Sequence, residues 1–367
     1  MLSRALNEIW FGVERSQARR PARGNRVLRH ALMPLALIPL SLLFRAGVGT
    51  RRLLSRLSRG AVKRISVPVI VVGNITVGGS GKTPLVIALV EALRREGYVP
   101  GVVSRGYRAK ATRSKRAVES VDAAVDDAAE RFGDESVLIR QRTGAPVFVG
   151  RRRTRAARAL LAAHPEVDVL IADDGLQHYA LARNFEIAVF DARGAGNGRL
   201  LPAGPLREPL GRLIDIDAIV LNGDDAVLPK IPGGLVPSRA PYRMTLVPSD
   251  AYRVNNSGET RALQQFRGRR LTAAAGIGNP QRFFALLHRA GLKFHRMPLD
   301  DHHRYRDNPF AGRHAEAVLM TEKDAVKCRR FEESRMWAVP VSARIDPALV
   351  AALLEHIGGS KNLPSPA

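Results

Sequence analysis

The chain has 367 residues, enough for one large α/β domain and a smaller one. Lysine and arginine number 58 against 34 acids, a net charge of +24, which favours an anionic partner such as nucleic acid, an acidic lipid surface or a phosphorylated substrate. The only cysteine, Cys328, excludes an intramolecular disulfide and a cysteine metal cluster, and fits a reducing compartment.

The charge is uneven. Residues 1–64 carry fourteen Lys/Arg and two acids, Glu8 and Glu14, so half of the net charge lies in the first sixth of the chain. Within this leader, Ala31 to Phe44 is an uncharged apolar run of fourteen residues, interrupted by Pro34 and Pro39 and flanked by arginines. A spanning helix needs about 20 residues. Some thirty residues precede the run and no small-residue cleavage site stands out, so it does not read as a signal peptide. It reads as an anchor lying in or dipping into an anionic leaflet, ahead of a full span or a buried core helix, with basic side chains at headgroup level. Trp10 and Phe11 are either interfacial aromatics or local packing.

From Pro68 the pattern becomes that of a parallel sheet. Val69 to Gly73 is a short continuous apolar run, as expected of a strand covered on both faces, and Leu85 to Arg95 reads as a helix ending near Gly97. Further apolar runs at Val99–Val103, Pro146–Val149, Val169–Ala172, Ile187–Phe190 and Ala218–Leu221 alternate with helical or loop segments. The expected core is 65–238, followed by a polar, turn-rich connection at 239–270. A smaller α/β domain is expected over 271–357, with strands at Leu271–Ala275, Ala317–Met320 and Trp337–Val341 and helices near Gln281–Ala290 and Pro347–His356. The tail 358–367 reads as disordered.

Between the first strand and its helix lies Thr76-Val-Gly-Gly-Ser-Gly-Lys-Thr83, a phosphate-binding loop in the strand–turn–helix context it requires. Gly78, Gly79 and Gly81 let consecutive N–H groups, with those of Val77 and Ser80, converge on phosphate oxygens; Lys82 reaches the β/γ-phosphates and the Thr83 hydroxyl suits Mg²⁺. Thr76 stands where the general pattern has glycine. A GTPase would carry an Asn-Lys-x-Asp base reader, but Lys323 and Asp324 are adjacent in the nearest string, so the spacing fails.

Acidic positions supply the remaining candidates. Asp173 and Asp174 end an apolar strand, where a carboxylate of a phosphate-loop enzyme holds the metal directly or through water. His178, four residues past Asp174, either orients a phosphate or carboxylate or is structural. Asp134, beside Glu135, is either an acid that orients an acceptor hydroxyl or a surface acid. Asp300-Asp-His-His303 does not by itself establish a metal site; the other reading is a histidine that pairs with a catalytic carboxylate across a domain cleft.

Taken together, the strings resemble the tetraacyldisaccharide 4′-kinase family, the lipid A 4′-kinases of Gram-negative bacteria. The resemblance covers nearly the whole chain, through Gly73 to Pro84, Ser104-Arg-Gly-Tyr107, Gly133-Asp-Glu135, Asp173 to His178, Leu201 to Pro209, Ala275 to Pro280, Asp301-His-His303 and Thr321 to Lys327. Thr76 is tolerated in that family, whereas Leu299-Asp300 stands where it often has Phe-Pro. The resemblance implies a P-loop NTPase-like fold and transfer of the γ-phosphate of ATP to the 4′-hydroxyl of a tetraacylated glucosamine disaccharide 1-phosphate. It implies that Asp134 acts as base paired with His302, that Mg²⁺ sits near Thr83, Asp173 and Asp174, and that His178 and Glu208 lie close to the reacting phosphates. Arg207 is a candidate contact for an anionic group, and Glu135 a further phosphate or substrate contact.

The leader then acquires a reason, because an enzyme working on a four-chain lipid avoids extraction by docking at the cytoplasmic face of the inner membrane. Two rivals stand beside this reading. A nucleic-acid-dependent ATPase would want stacking aromatics or a reading module, and aromatics make up only 5% of the chain, so no nucleic-acid partner is expected. A non-enzymatic nucleotide switch at the membrane would bind nucleotide and phosphorylate nothing. No obligate protein partner is expected.

Overall fold

The computed structural model describes residues 10–11, 37–57 and 65–361, apart from 108, 113, 115–116, 126, 235–236 and 238. Its centre is strand β1, Val69–Gly73, whose five residues are all buried. β5 (Val169–Asp173) pairs with it on one side and β6 (Phe185–Asp191) on the other, both parallel. Outward from β5 follow β2 (Pro100–Ser104), β4 (Val147–Gly150) and the antiparallel edge strand β3 (Val118–Ser120). Outward from β6 follow β7 (Ala218–Asn222), β8 (Tyr242–Pro248) and the antiparallel edge strand β15 (Val341–Ile345). The chain order diverges to either side of β1, and ligands of such sheets bind at this kind of crevice, beyond the carboxyl ends of the strands.

Helix α2 (Lys82–Arg95) leaves β1 through the glycine-rich turn and buries Leu85, Val86, Leu89, Val90 and Leu93 on one face of the sheet. Pro84 is tolerated in its first turn, where N–H groups have no intrahelical partner. Gly97, at φ 79°, ends it, the Tyr98 N–H bonding back to Leu93 O. The opposite face is covered by α5 (Arg153–Ala163) through Ala156, Ala157 and Leu160.

The smaller unit has six strands in the order β10-β9-β14-β13-β11-β12: Asn256–Arg261, Ala251–Arg253, Met336–Val339, Ala317–Thr321, Leu271–Ala275 and Phe294–Pro298. Helix α6 (Pro280–Arg289) packs Phe283, Phe284 and Leu287 on one face; α7 (Glu322–Cys328), Tyr305 and Phe310 cover the other.

Four expectations from the sequence need correction. Segment 239–270, expected as a connection, contains β8 of the large sheet and the β9–β10 pair of the small one; their half-exposed, arginine-bearing pattern hides them from an apolar-run search. The run Trp337–Val341, expected as one strand, breaks at Pro340, where the chain returns to the large sheet as β15. The next helix, α8 (Pro347–Lys361), buries Leu349, Leu353 and Ile357 in the core of the large unit, so the smaller unit ends near 340 instead of 357. That helix also runs through Gly358 to Lys361, into the segment expected to be disordered; residues 362–367 lie outside the described ones. The smaller unit is thus an insertion between β8 and β15. Its two crossings lie side by side, the Ser249 N–H donating to Pro340 O at 3.0 Å.

Of the leader, residues 1–9, 12–36 and 58–64 lie outside the described ones, including most of the apolar run before Pro39. Helix α1 (Ile38–Leu57) continues past Phe44 through Arg45, Arg51 and Arg52. Phe44 packs on the core, Ser41 Oγ donates to Leu200 O at 2.9 Å, and Arg52 pairs with Asp215. Leu43, Leu54 and Leu57 point away, with Leu57 75% exposed. Among the described residues no helix is long and apolar enough to cross a membrane.

Candidate active site

The phosphate-binding loop sits at the carboxyl end of β1 and is braced from several directions. Gly78 and Gly81 adopt φ 96° and 98°, which side chains rarely tolerate. A Cβ on Gly81 would also strike Asn222 Nδ2, whose amide donates to Ser80 O at 2.8 Å. Asn74 Nδ2 donates to Gly78 O (3.2 Å), Val77 N to Pro205 O (2.8 Å) and Arg193 to Gly79 O (3.0 Å). Thr76 bridges Leu206 in an isolated β-pair, where a glycine would serve no better. The loop is held open by its own surroundings, with its carbonyls turned outward onto donors.

Lys82, at the first position of α2, donates to Asn74 Oδ1 at 3.2 Å and lies 3.5 Å from Asp174 Oδ1. The two adjacent acids differ in environment. Arg207 donates to both Asp174 oxygens (3.3 and 3.1 Å); burial pushes the Asp174 carboxyl up, but Lys82 and then Arg207 outweigh it and hold it well below the usual range. Asp173 is raised to about 7 by burial, then by Glu135 and Asp174. Its Oδ2 accepts from Ser104 Oγ at 3.2 Å, while its buried Oδ1 has no partner, and neither does the buried Ser80 Oγ. The orphaned Asp173 oxygen fits a divalent cation. Among the described residues no cluster of three or more His, Cys, Asp or Glu side chains forms a cage, so such an ion would rely on phosphate oxygens and water for most of its shell, as magnesium does.

Asp134 opens helix α4 (Asp134–Thr143) after Gly133. His302, from the smaller unit, places Nδ1 3.0 Å from Asp134 Oδ2, and Lys327 Nζ lies 3.4 Å from the same oxygen. Burial pushes the Asp134 carboxyl up; Lys323, the His302 hydrogen bond and Lys327 together override it and keep the group ionised. Tyr107 stacks at 5.1 Å against the His302 ring. Asp174 (φ 48°) and His302 (φ 58°) are two of the three non-glycine residues with positive φ among those described, backbone strain of the kind that collects at functional sites.

A cavity of about 770 Å³ opens between the units, lined by Gly79, Gly81, Lys82 and Thr83 of the loop, by Gly278, Arg282 and Phe283 of the smaller unit, and by Glu135 with Lys323. Lys323 Nζ donates to Glu135 Oε1 at 3.0 Å. His302 lines instead a shallower cavity of about 440 Å³ formed by Asp300 to Asp307 and Pro309, and neither it nor Asp134 is on the wall of the larger one.

The remaining candidates sit behind this constellation. Burial, then Arg153 and Arg183, hold His178 near 4, so its imidazole is neutral; its buried Nε2 has no partner. Glu208 is buried and accepts from Gln177 Nε2 (2.8 Å) and the Tyr179 hydroxyl, with Arg212 3.6 Å away. In this structure Glu208 therefore braces the 174–179 loop, its oxygens occupied by side chains. The anion that Arg207 meets is the Asp174 carboxylate.

Comparison with known proteins decides the family. The family model described as tetraacyldisaccharide-1-P 4′-kinase matches residues 33–358. The chain belongs to this family. It is 47% identical to the tetraacyldisaccharide 4′-kinase of Methylobacillus flagellatus over 356 residues, 97% of this chain and 96% of that one. It is 46% identical to the tetraacyldisaccharide 4′-kinase of Dechloromonas aromatica over 361 residues, 98% and 99% of the two chains. Among solved structures it is similar to LpxK from Aquifex aeolicus in complex with ATP, with TM-score 0.73 and 26% identity, covering 89% of this chain and 99% of that one.

Sequence reading of this tetraacyldisaccharide 4′-kinase family member missed three members of the constellation: Lys323, Lys327 and Tyr107. Lysines spaced i, i+4 directly after a strand end were the available signal, since they share one helix face. What they face is carried by residues about 190 positions earlier, which no local pattern records.

Proposed function

We propose that this chain moves the γ-phosphoryl group of ATP to the 4′-hydroxyl of a tetraacylated glucosamine disaccharide 1-phosphate, working at the cytoplasmic face of the bacterial inner membrane. The observation that carries the reading is a cavity lined by the phosphate loop of one unit and by Gly278 and Lys323 of the other, with Glu135 on its wall next in sequence to an Asp134 paired with His302, in a chain of this family. The 770 Å³ cavity beside Lys82 has the size of a nucleotide site, and the related Aquifex protein was solved in complex with ATP.

In the reaction the acceptor oxygen forms a bond to the γ-phosphorus, the bond from that phosphorus to the bridging oxygen breaks, and ADP leaves with the electron pair. The hydroxyl proton passes to the Asp134–His302 pair. A carboxylate held so far below its ordinary range is a weak proton acceptor and a firm orienting group. That suits a loose phosphoryl transition state, where the proton leaves late and positioning supplies most of the rate. Lys82 and the loop N–H groups offset charge on the β/γ oxygens. Mg²⁺ would be held by Thr83 and Asp173, with Asp174 beside it, and would offset charge developing on the phosphoryl group.

Membrane docking rests on α1, whose outward leucines and arginines, with the basic leader, would lie at headgroup level. The deciding experiment incubates purified protein with Mg²⁺-ATP and the disaccharide 1-phosphate in mixed micelles. Phosphorylated product is expected from the wild type and none from Lys82→Ala, while Asp134→Ala lowers kcat by about 10²–10⁴-fold with little change in KM for ATP. Wild-type turnover by Asp134→Ala removes that residue from the mechanism. ATP turnover stimulated by DNA or RNA, without lipid phosphorylation, replaces the whole reading.

A further inference from the structure

We propose that Lys323 is a second phosphate-contacting lysine, carried to the nucleotide by the smaller unit and placed to meet the transferred phosphoryl group from the side opposite the phosphate loop. The inference rests on the kinase reading above and adds to it a catalytic residue.

The position of Lys323 is built with care. Strand β13 delivers Thr321, whose Oγ1 accepts from the Asp324 N–H at 3.2 Å and so opens helix α7. Asp324 is fully buried and accepts in turn from Thr321 Oγ1 (2.6 Å) and from the Gly276 N–H (2.8 Å). Gly276 begins the loop whose Gly278 packs on the phosphate-binding turn, a Cβ there falling 2.4 Å from Gly79 N. The base of Lys323 is therefore fixed relative to the phosphate loop through buried hydrogen bonds to the Gly276 loop and the close packing of Gly278 on Gly79.

Its ammonium is positioned for an anion. The side chain is 15% exposed, and what is exposed lines the same cavity as Lys82 and Thr83. Nζ rests 3.0 Å from Glu135 and 3.5 Å from Asp301, next to the residue that orients the acceptor. A buried pair that served only to join the units would gain nothing from facing a cavity, and would be sealed from water. A cation beside Glu135 on the wall of the cavity that Lys82 also lines, by contrast, can reach the charge that spreads over the equatorial oxygens of the group in flight. The Lys side chain has four rotatable bonds, so Nζ can turn from the carboxylates to a phosphate oxygen without moving its helix. Glu135 and Asp301 are the partners from which it would turn. The lysine in turn screens them from the triphosphate.

The test compares nucleotides that differ only in the γ group. Full-length wild type, Lys323→Met and Lys323→Gln are titrated by calorimetry with ADP and with the non-hydrolysable β,γ-imido analogue of ATP, each with Mg²⁺. Lys323→Met is expected to lose tenfold or more in affinity for the analogue, to keep its affinity for ADP within twofold, and to fall about 100-fold in kcat. Should that protein fail to fold, Lys323→Gln, which still hydrogen-bonds Glu135, carries the same comparison. Equal losses for both nucleotides would make Lys323 a structural tie and overturn the proposal, as would an unchanged preference for the analogue. If wild type binds neither nucleotide, the kinase reading itself falls, and this inference falls with it.

Discussion

Asp173 and Asp174 are neighbours in sequence and opposites in charge behaviour, because the close ion pairs with Lys82 and Arg207 go to Asp174 while burial, Glu135 and Asp174 outweigh Lys82 at Asp173. For Asp173 the folded value of about 7 exceeds the ordinary aspartate value near 3.9. Below the unfolded value the group is protonated in both states. As pH rises the unfolded chain releases its proton first, so the stability this group contributes falls steadily until pH 7 and then levels off. Asp173→Asn abolishes the titration. Ligand-free Asp173→Asn should therefore match the wild-type stability near pH 4 and exceed it at pH 8, by an unfolding free energy on the order of a few kcal/mol. Thermal melts across that range check it, and a gap that does not widen with pH refutes the buried charge. At this scale the phosphate loop was legible, since its function follows from main-chain geometry that glycines and one lysine announce. Asp134 was legible only as an acid in a suggestive place. What fixes its role, the ring of His302 and the ammonium groups of Lys323 and Lys327, arrives from far along the chain.

Elements buried on both faces declared themselves: β1, β5, β6 and β7 are continuous apolar runs within a residue or two of their observed bounds. Half-exposed elements did not. β8 carries Arg243 and Thr245 along an apolar backbone and reads as loop, yet it is the strand on which the chain changes unit. Helix α8 was visible as a helix, but periodicity cannot say which sheet an apolar face will meet. Its assignment to the large unit is testable, because Leu353 is fully buried there: Leu353→Ala should cost about 2–5 kcal/mol and lower the melting temperature of the nucleotide-free chain. A loss under 0.5 kcal/mol would show that the helix is not docked. The Gly276–Asn279 loop makes a second prediction. Gly278→Ala sets a methyl group 2.4 Å from Gly79 N, so the loop must withdraw from the phosphates. ATP kcat/KM should fall on the order of 10–100-fold while the melting temperature changes little; unaltered kinetics would show that the close approach is dispensable.

Over the whole molecule, charge and apolar exposure coincide. The basic leader is continuous with α1, and α1 presents Leu43, Leu54 and Leu57 on the side turned away from the core. Each leucine brought from water into lipid contributes about 1.5 kcal/mol or more. Replacing these three by serine should weaken binding to phosphatidylglycerol vesicles by more than about 100-fold and leave nucleotide affinity unchanged; retained vesicle binding would move the anchor elsewhere. The composition points to an anionic partner without naming it, and the apolar leader makes a membrane the candidate that those vesicles test. That the smaller unit is an insertion was not legible, because continuity of sequence says nothing about return of the chain. Its consequence is mechanical. Both connections to the large unit pass at Ser249 and Pro340, bonded to each other, so any displacement of the smaller unit would pivot there and carry His302, Lys323 and the Gly278 loop as one body.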